Sequence, residues 1–260
     1  MTHIPFKVSL LRLVFLLLPV TVAAQEARLS DYVDPRIGSE GLGRVFIGPS
    51  CPYGMVKPSP DCTVHPNSGW LPMPEQVNGF SQVHVSGTGG GPKYGNILVM
   101  PFGKGMDQLN HIDYRKDETI RLGYYATEFQ RTGIYTEITT APRASFYRFT
   151  YPEDSLKSLL VDAGFFLGEQ PTPDAREAQQ FVGSEIQIIS DHEVMGYTRI
   201  RGGWNNGRAY TVYFYAVTDH PFVQTPHGKE ARSAMNDTSQ TPNKKPELCC
   251  VSLLLQIPFN

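Results

Sequence analysis

The sequence predicts an all-β protein, a large antiparallel β-sandwich with little helix. From about residue 45 onward, apolar residues come in short runs separated by Gly, Pro, Asn and Asp, a pattern typical of strands and turns. Long helical periodicity is absent, apart from a weak stretch around 174–181. Because no helices separate the predicted strands, parallel βαβ units are excluded and an antiparallel sandwich is favoured.

The predicted strands share a content of β-branched and aromatic residues, and in chain order they are 80–85, 96–100, 124–129, 135–140, 145–150, 157–161, 184–189, 194–200 and 209–217. The strand at 135–140 alternates, so we expect Thr136 and Ile138 on one face and Tyr135, Glu137 and Thr139 on the other. The last strand is almost wholly apolar or aromatic, which predicts that both of its faces are covered.

The first 24 residues predict a secretory signal peptide. Lys7 and Arg12 precede an apolar run that begins at 13–18 and continues through Pro19 to Ala24, where small residues offer a cleavage site. A membrane anchor is the alternative, but the run is about twelve residues long where a spanning helix needs about twenty, and Pro19 interrupts it. We therefore expect an exported protein, periplasmic or extracellular, without a membrane span.

Charge and composition narrow the function classes. The chain has 23 Lys plus Arg against 25 Asp plus Glu, a formal charge of −2, and no basic stripe. Nucleic acid is therefore not expected as a partner. With 40% hydrophobic and only 18% charged residues, the chain is neither a disordered tail nor a coiled coil.

The cysteines leave two alternatives open. An exported chain meets an oxidising compartment, and Cys51 and Cys62 are a candidate disulfide because both lie in a Pro/Gly-rich loop region. Two unpaired, buried thiols are the equal alternative, since pairing cannot be deduced from sequence. No Cys-x-x-Cys or His-x-x-x-His spacing occurs, so no metal ligands are predicted.

Polar, Gly-rich loops at the ends of a sandwich are where binding sites form. Trp70 follows a glycine in one such loop, where an exposed ring is a platform for a sugar and a buried ring is core. A nucleophile system drawn from Ser86, His84 and Asp61 is disfavoured because Ser86 is not in a Gly-x-Ser-x-Gly elbow. No two of the acidic residues that could serve glycoside hydrolysis are marked as a pair, and these residues are Asp34, Glu40, Asp61, Glu75, Asp113, Asp117 and Glu118.

Ordered motifs run along the chain from about residue 31 to 222. They are Tyr32-Val-Asp-Pro-Arg-Ile-Gly38, Phe46-Ile-Gly-Pro49, Pro52-Tyr-Gly-Met-Val56, Ser59-Pro-Asp61, Gly79-Phe-Ser-Gln-Val-His-Val-Ser-Gly-Thr-Gly89 and Tyr94-Gly-Asn-Ile-Leu-Val-Met-Pro101. Together and in this order they resemble the motifs of glycoside hydrolase family 92, the calcium-dependent exo-acting α-mannosidases. The segments 133–150 and 196–200 continue the resemblance.

The resemblance implies the N-terminal domain of a two-domain enzyme that hydrolyses α-1,2-mannosides and N-glycans, with a supersandwich of the galactose-mutarotase-like type. In the family, the general acid, the general base and most of the calcium environment lie in a C-terminal (α/α)₆ barrel, which this chain does not contain. We therefore assign no catalytic residue, metal ligand or cofactor to the chain itself, although calcium is expected for the full-length family. The barrel is the expected packing partner, and a mannose-containing glycan is the expected weak ligand.

By position in the motifs, the resemblance implies substrate-binding roles for Phe46, Asp61, Trp70, His84, Ser86 and Thr88. Turn shaping and contact between domains are the alternative roles for each. The chain departs from the family at Gln82, where the family has His, and at Asn96, where it has Asp.

The sequence thus divides into a signal peptide (1–24), a family 92 N-terminal domain (25–223) and a final segment (224–260). That segment is a polar linker followed by an abruptly apolar end, which we interpret as a truncated or frameshifted tail.

The first hypothesis for function is an N-terminal domain that is inactive alone. The alternative is a stand-alone carbohydrate-binding or partner-binding sandwich. An active hydrolase that uses carboxylates of the sandwich ranks last, because no pair stands out.

Overall fold

The computed structural model describes residues 28–41, 45–64, 68–85, 92–107, 109–168, 178–203, 207–222, 231–235 and 247–256. The predicted signal peptide lies outside these residues. The chain divides into two compact units, Met1–Tyr32 and Val33–Asn260. In the first unit, Leu29–Tyr32 form one turn of 3₁₀ helix. Within the described ranges, no helix is long and apolar enough to cross a membrane.

The second unit is built from strands. Their bounds are β1 Ser59–Cys62, β2 Gln76–Val83, β3 Gly95–Phe102, β4 Asp113–Arg121, β5 Tyr124–Phe129, β6 Tyr135–Ala141, β7 Ala144–Tyr151, β8 Lys157–Asp162, β9 Gln179–Ile188, β10 Glu193–Gly202, β11 Tyr210–Thr218, β12 Ala231–Met235 and β13 Glu247–Gln256. All nine predicted strands are present, so the prediction of an all-β protein is confirmed.

The strands pair antiparallel in the order β12-β8-β3-β2-β4-β5-β6-β7-β13-β11-β10-β9, and β1 pairs with β2. One layer contains β1, β2, β3, β8 and β12, and the other runs from β4 to β9. The two layers are joined where the start of β2 pairs with the start of β4, at Gln76↔Tyr114 and Val77↔Asp113. This arrangement confirms the antiparallel sandwich.

Aromatic side chains from both layers meet in the core. The Phe80 ring of β2 lies 5.9 Å from that of Tyr125, 6.1 Å from that of Phe129 and 6.2 Å from that of Tyr147, measured between ring centroids. All four residues are fully buried. Burying one such ring contributes about 2–3 kcal/mol, so this cluster is a main contact between the layers.

The alternation predicted for 135–140 is confirmed, because Thr136 and Ile138 are buried and Tyr135 is exposed. The prediction that the last strand is covered on both faces is wrong. In β11, Val212 and Phe214 are buried, whereas Tyr213 between them is 47% exposed. Tyrosine is common at both exposed and covered positions of a sheet. The sequence pattern therefore could not separate a strand with one covered face from a strand with two.

Strands β12 and β13 lie within 224–260, where the sequence pattern predicts a linker and an atypical tail. β12 pairs with β8, and β13 lies between β7 and β11 and pairs with both. The strand-forming residues of 247–256 follow a polar stretch and stand far along the chain from their partners, so local pattern alone did not indicate their place in the sheet. The expected boundary at residue 223 therefore precedes two strands of the sandwich.

Candidate functional site

Strands β1 and β2 bring Asp61 and His84 together below the surface. Asp61 lies in β1, and His84 immediately follows β2, with which β1 pairs. Asp61 Oδ1 is 2.7 Å from His84 Nε2, and both side chains are fully buried. Asp61 Oδ2 accepts a hydrogen bond of 2.7 Å from the backbone N–H of Ser81. Both carboxylate oxygens are therefore held by the protein.

The partners of His84 determine how many protons this pair carries. Nδ1 lies 2.8 Å from the carbonyl oxygen of Lys57, which only accepts, so Nδ1 carries a proton. The contact between Nε2 and Asp61 Oδ1 needs a second proton between the two atoms. With one proton on Nδ1 and a second between Nε2 and Oδ1, the histidine and the aspartate together carry no net charge. No unpaired charge is therefore buried.

Gly69 allows a loop to pass directly over the Asp61–His84 pair. Its φ is +88°, and a Cβ at this position would lie 2.5 Å from Asp61 Oδ1 and 2.7 Å from His84 Nε2. On another side, the Phe46 ring lies 5.7 Å from the His84 ring between centroids. The structure thus brings Phe46, Asp61 and His84 together, as residues of one site would be.

Of the two roles that the sequence leaves open for Trp70, an exposed sugar platform or a core residue, the structure shows the buried one, because Trp70 is 3% exposed. Its Nε1 donates a hydrogen bond of 3.0 Å to Glu118 Oε1. The guanidinium carbon of Arg115 lies 5.8 Å from the centre of the ring. A cation in this position makes a favourable contact with an aromatic face, which here leaves no room for a sugar on that face.

Glu118 is the centre of the cluster that holds Trp70. Besides the indole, Oε1 accepts hydrogen bonds of 2.6 Å from Arg115 and 2.6 Å from the Tyr125 hydroxyl. Burial raises the pKa of Tyr125 well above its ordinary value, and the neighbouring Glu118 raises it further. Burial opposes the charged form of Arg115, but Tyr125 and Glu118 outweigh it and raise the pKa of Arg115.

The sequence pattern did not place Arg115 and Glu118 at the site. A fully buried arginine is rare without a paired charge, and β4 is polar, so nothing in its pattern predicts a strand whose side chains reach the core. Their spacing gives no signal either, because residues three apart lie on opposite faces of a regular strand, and β4 is irregular between Arg115 and Asp117.

The disulfide alternative for Cys51 and Cys62 is corrected by the structure, in which both are free cysteines. Cys51 Sγ lies 3.5 Å from the carbonyl oxygen of Thr140, whereas Cys62 Sγ accepts a hydrogen bond of 3.2 Å from the backbone N–H of Leu71. Burial raises the pKa of Cys62 to about 12. The two thiols thus have separate environments, and Cys62 is a neutral core group.

The two departures from the family pattern have structural roles here. Gln82 Nε2 donates to the Phe80 carbonyl (2.8 Å) and lies 2.6 Å from the Tyr147 hydroxyl, while its Oε1 accepts from Ser145 Oγ (2.8 Å). This side chain therefore links β2 to β7 across the sandwich. Asn96 has φ +54°, and its Oδ1 accepts a hydrogen bond of 2.9 Å from the Tyr210 hydroxyl.

Two predicted site residues, Ser86 and Thr88, lie outside the described residues. Among the residues that the structure describes, no three His, Cys, Asp or Glu side chains are grouped so that they would hold a metal ion.

The chain matches a known protein family over most of its length. Residues 32–250 match the family model described as the glycosyl hydrolase family 92 N-terminal domain, which places the protein among the glycosyl hydrolases. The chain belongs to family 92, and the matched part is the family's N-terminal domain. This finding confirms the resemblance in the motifs.

Similar proteins are known in sequence and in structure. An uncharacterized secreted glycosidase of Arthroderma benhamiae is 34% identical over 149 residues, which are 53% of this chain and 19% of that protein. The family GH92 α-mannosidase BT3965 of Bacteroides thetaiotaomicron is 27% identical, with a TM-score of 0.71 over 89% of this chain and 34% of that one. The inverting mannosidase BT2199 of the same organism, at 19% identity and a TM-score of 0.56, shares the fold. The chain thus spans about a third or less of these relatives.

Proposed function

We propose that this chain is the non-catalytic, sugar-facing domain of an exported family 92 α-mannosidase. The observation that carries the proposal is the match to the BT3965 α-mannosidase, which covers 89% of this chain but 34% of that enzyme. The same enzyme has also been solved with mannoimidazole, and its match to this chain has a TM-score of 0.70.

The hydrogen bonds of the site favour a supporting role over catalysis. Inverting hydrolysis needs one carboxylic acid to protonate the leaving oxygen and one carboxylate to activate water. Asp61 is fully buried and bonded to His84 and Ser81, so it is not placed to activate a water molecule. We expect the acid, the base and the calcium ion to be held by a C-terminal helical barrel that packs against this domain.

In this proposal the Asp61–His84 pair lies beneath the sugar-facing surface and supports it. In the sequence, Ser86 and Thr88 follow His84 by two and four residues, and the His84 ring lies beside that of Phe46. A buried, charge-neutral pair fixes both the strand end and the aromatic ring. A mannoside would meet the edge of Phe46, with the pair itself beneath it.

A chimera tests the proposal, with residues 25–260 in place of the N-terminal third of the BT3965 mannosidase. We expect the purified chimera to release mannose from an α-mannoside in the presence of calcium, and to lose that activity in EDTA. The chain 25–260 alone is expected to release none. The control variant of the chimera is Asp154→Ala, a substitution at an exposed position, and it should keep full activity.

Two outcomes contradict the proposal. Release of mannose by the chain alone would show that it has catalytic groups of its own. A folded but inactive chimera, together with saturable mannoside binding by the chain alone, would instead favour a stand-alone carbohydrate-binding sandwich.

A further inference from the structure

The two carboxylate oxygens of Glu118 differ in their hydrogen bonding. Oε1 accepts three hydrogen bonds, from Trp70, Arg115 and Tyr125. Oε2 has no hydrogen-bond partner within the described part of the chain, although the side chain is only 7% exposed. Unlike Nε of Arg115, which is buried without a partner, Oε2 is not sealed from solvent.

A surface carboxylate whose only role is to keep the protein soluble is solvated and mobile. It would not be fixed by three hydrogen bonds from buried side chains. Here an arginine, an indole and a phenol all converge on one oxygen, and together they fix the direction in which the other oxygen points. Such anchoring by surrounding side chains is how proteins preorganise a group that contacts a ligand.

The charge at this position indicates the kind of ligand. Arg115 and Glu118 form a buried ion pair with an N–O distance of 2.6 Å, so the position as a whole is neutral. A second cation on Oε2 would lie close to the Arg115 guanidinium and would be repelled by it. A carboxylate oxygen only accepts, so the fitting partner is a neutral donor, such as a hydroxyl group.

We infer that Glu118 Oε2 accepts a hydrogen bond from a hydroxyl group of a neutral sugar, and that Trp70 serves to orient Glu118 instead of stacking on the sugar. This inference rests on the proposed function and names one further contact of the same surface. Gly69 lies against the Asp61–His84 pair, and the next residue, Trp70, bonds to Glu118.

The neighbourhood of Glu118 is consistent with an open side. Arg36 is an exposed residue of the Asp-Pro-Arg motif and forms an ion pair with Asp34. Hydrogen bonding to Asp34 chiefly raises the pKa of Arg36, and the nearby charge of Glu118 adds to this effect. Arg36 thus adds to Arg115 in disfavouring a cationic ligand at Glu118, which again leaves a neutral donor as the fitting partner.

The test is a titration of the chain 25–260 with methyl α-D-mannopyranoside, followed by NMR. Glu118→Gln keeps an acceptor for Trp70, Arg115 and Tyr125 and replaces the other oxygen with an NH₂ group. We expect it to weaken binding about tenfold, since a hydrogen bond to a charged acceptor is lost. Unchanged tryptophan fluorescence and circular dichroism would show that Trp70 keeps its place.

Two matched variants separate sugar contact from packing. Tyr125→Phe removes one of the three donors that orient Glu118 and leaves Oε2 in place, so we expect it to weaken binding, but by less than Glu118→Gln does. Glu128→Gln neutralises a half-buried carboxylate that is paired with Lys116, and it should have no effect on mannoside binding. If the wild type and Glu118→Gln bind the mannoside with equal affinity, the inference is overturned. The proposed function would still stand if the chimera were active. A wild-type chain that does not bind the mannoside would overturn the inference as well, whereas the proposed function is judged by the chimera.

Discussion

Asp61 Oδ1 and His84 Nε2 are 2.7 Å apart, and neither side chain has any solvent exposure. The remaining polar atoms of the pair are bonded to the backbone, at Ser81 N–H and the Lys57 carbonyl. Buried ionisable groups are costly unless they are paired and hydrogen-bonded, and this pair meets both conditions. It therefore specifies how the end of β2 is held against β1.

Removing one member of the pair should be costly. We expect Asp61→Ala to lower the free energy of unfolding by about 3 kcal/mol or more, because the His84 ring and the Ser81 N–H lose their partner inside the core. Urea unfolding followed by circular dichroism measures the change. Asp154→Ala, at an exposed turn position, is the control and should change stability by less than about 0.5 kcal/mol. Equal effects of the two substitutions would contradict this account of the pair.

Gly69 should tolerate no side chain. Gly69→Ala combines a left-handed backbone with a methyl group 2.5 Å from Asp61 Oδ1, so we expect a loss of about 3 kcal/mol in stability. Gly123→Ala is a close control, because Gly123 has φ +73° but no atom within 4 Å of the place that its methyl group would take. It should cost about 1 kcal/mol, from backbone strain alone. The difference between the two variants measures the contact with the pair, and no difference would show that the loop moves away without cost.

The predictable part of the fold is the part with local alternation. β6 and β7 can be recognised from residues such as Thr136 and Ile138, whose burial follows from a period of two. β4 cannot, because its buried arginine lies over Trp70 and pairs with Glu118, which Tyr125 holds in turn, and Trp70 and Tyr125 come from other segments of the chain. Likewise, β13 becomes a central strand through pairing with distant neighbours.

The candidate site, like the fold, could be predicted from the sequence only in part. The family motifs select Phe46, Asp61 and His84, and the structure places these residues together. Trp70 illustrates the limit, because a tryptophan after a glycine fits an exposed loop and a buried one equally well. Its burial depends on the Arg115–Glu118 pair, which no motif indicates.

The two described thiols should differ in reactivity. Burial raises the pKa of Cys62 to about 12, so at pH 8 only about one Cys62 in ten thousand is a thiolate. Cys51 is half-buried and lies in a separate loop. We expect iodoacetamide to label Cys51 in the native protein and to label Cys62 only after unfolding in urea, as read by peptide mass spectrometry. Labelling of both residues at the same rate in the native protein would be incompatible with the buried position of Cys62.

The cross-strand pair Glu137–Arg148 should make stability depend on pH in the acid range. Hydrogen bonding from Arg148 lowers the pKa of Glu137, and a bond from the Tyr124 hydroxyl adds to this against the opposing effect of burial. Because the folded protein has the lower pKa, the pair stabilises it above the unfolded pKa of about 4.3, and this contribution is lost as the pH falls through the folded pKa.

We therefore expect Glu137→Gln to lower the free energy of unfolding by about 0.5–1 kcal/mol at pH 7, a magnitude typical of partly exposed ion pairs, and to have almost no effect near pH 2. Urea unfolding of the wild type and the variant at both pH values measures this difference. Glu128→Gln breaks the more exposed Lys116–Glu128 pair and should give a smaller change at pH 7. An effect of Glu137→Gln that is equally large at both pH values would mean that Glu137 stabilises the sheet through packing, independently of its charge.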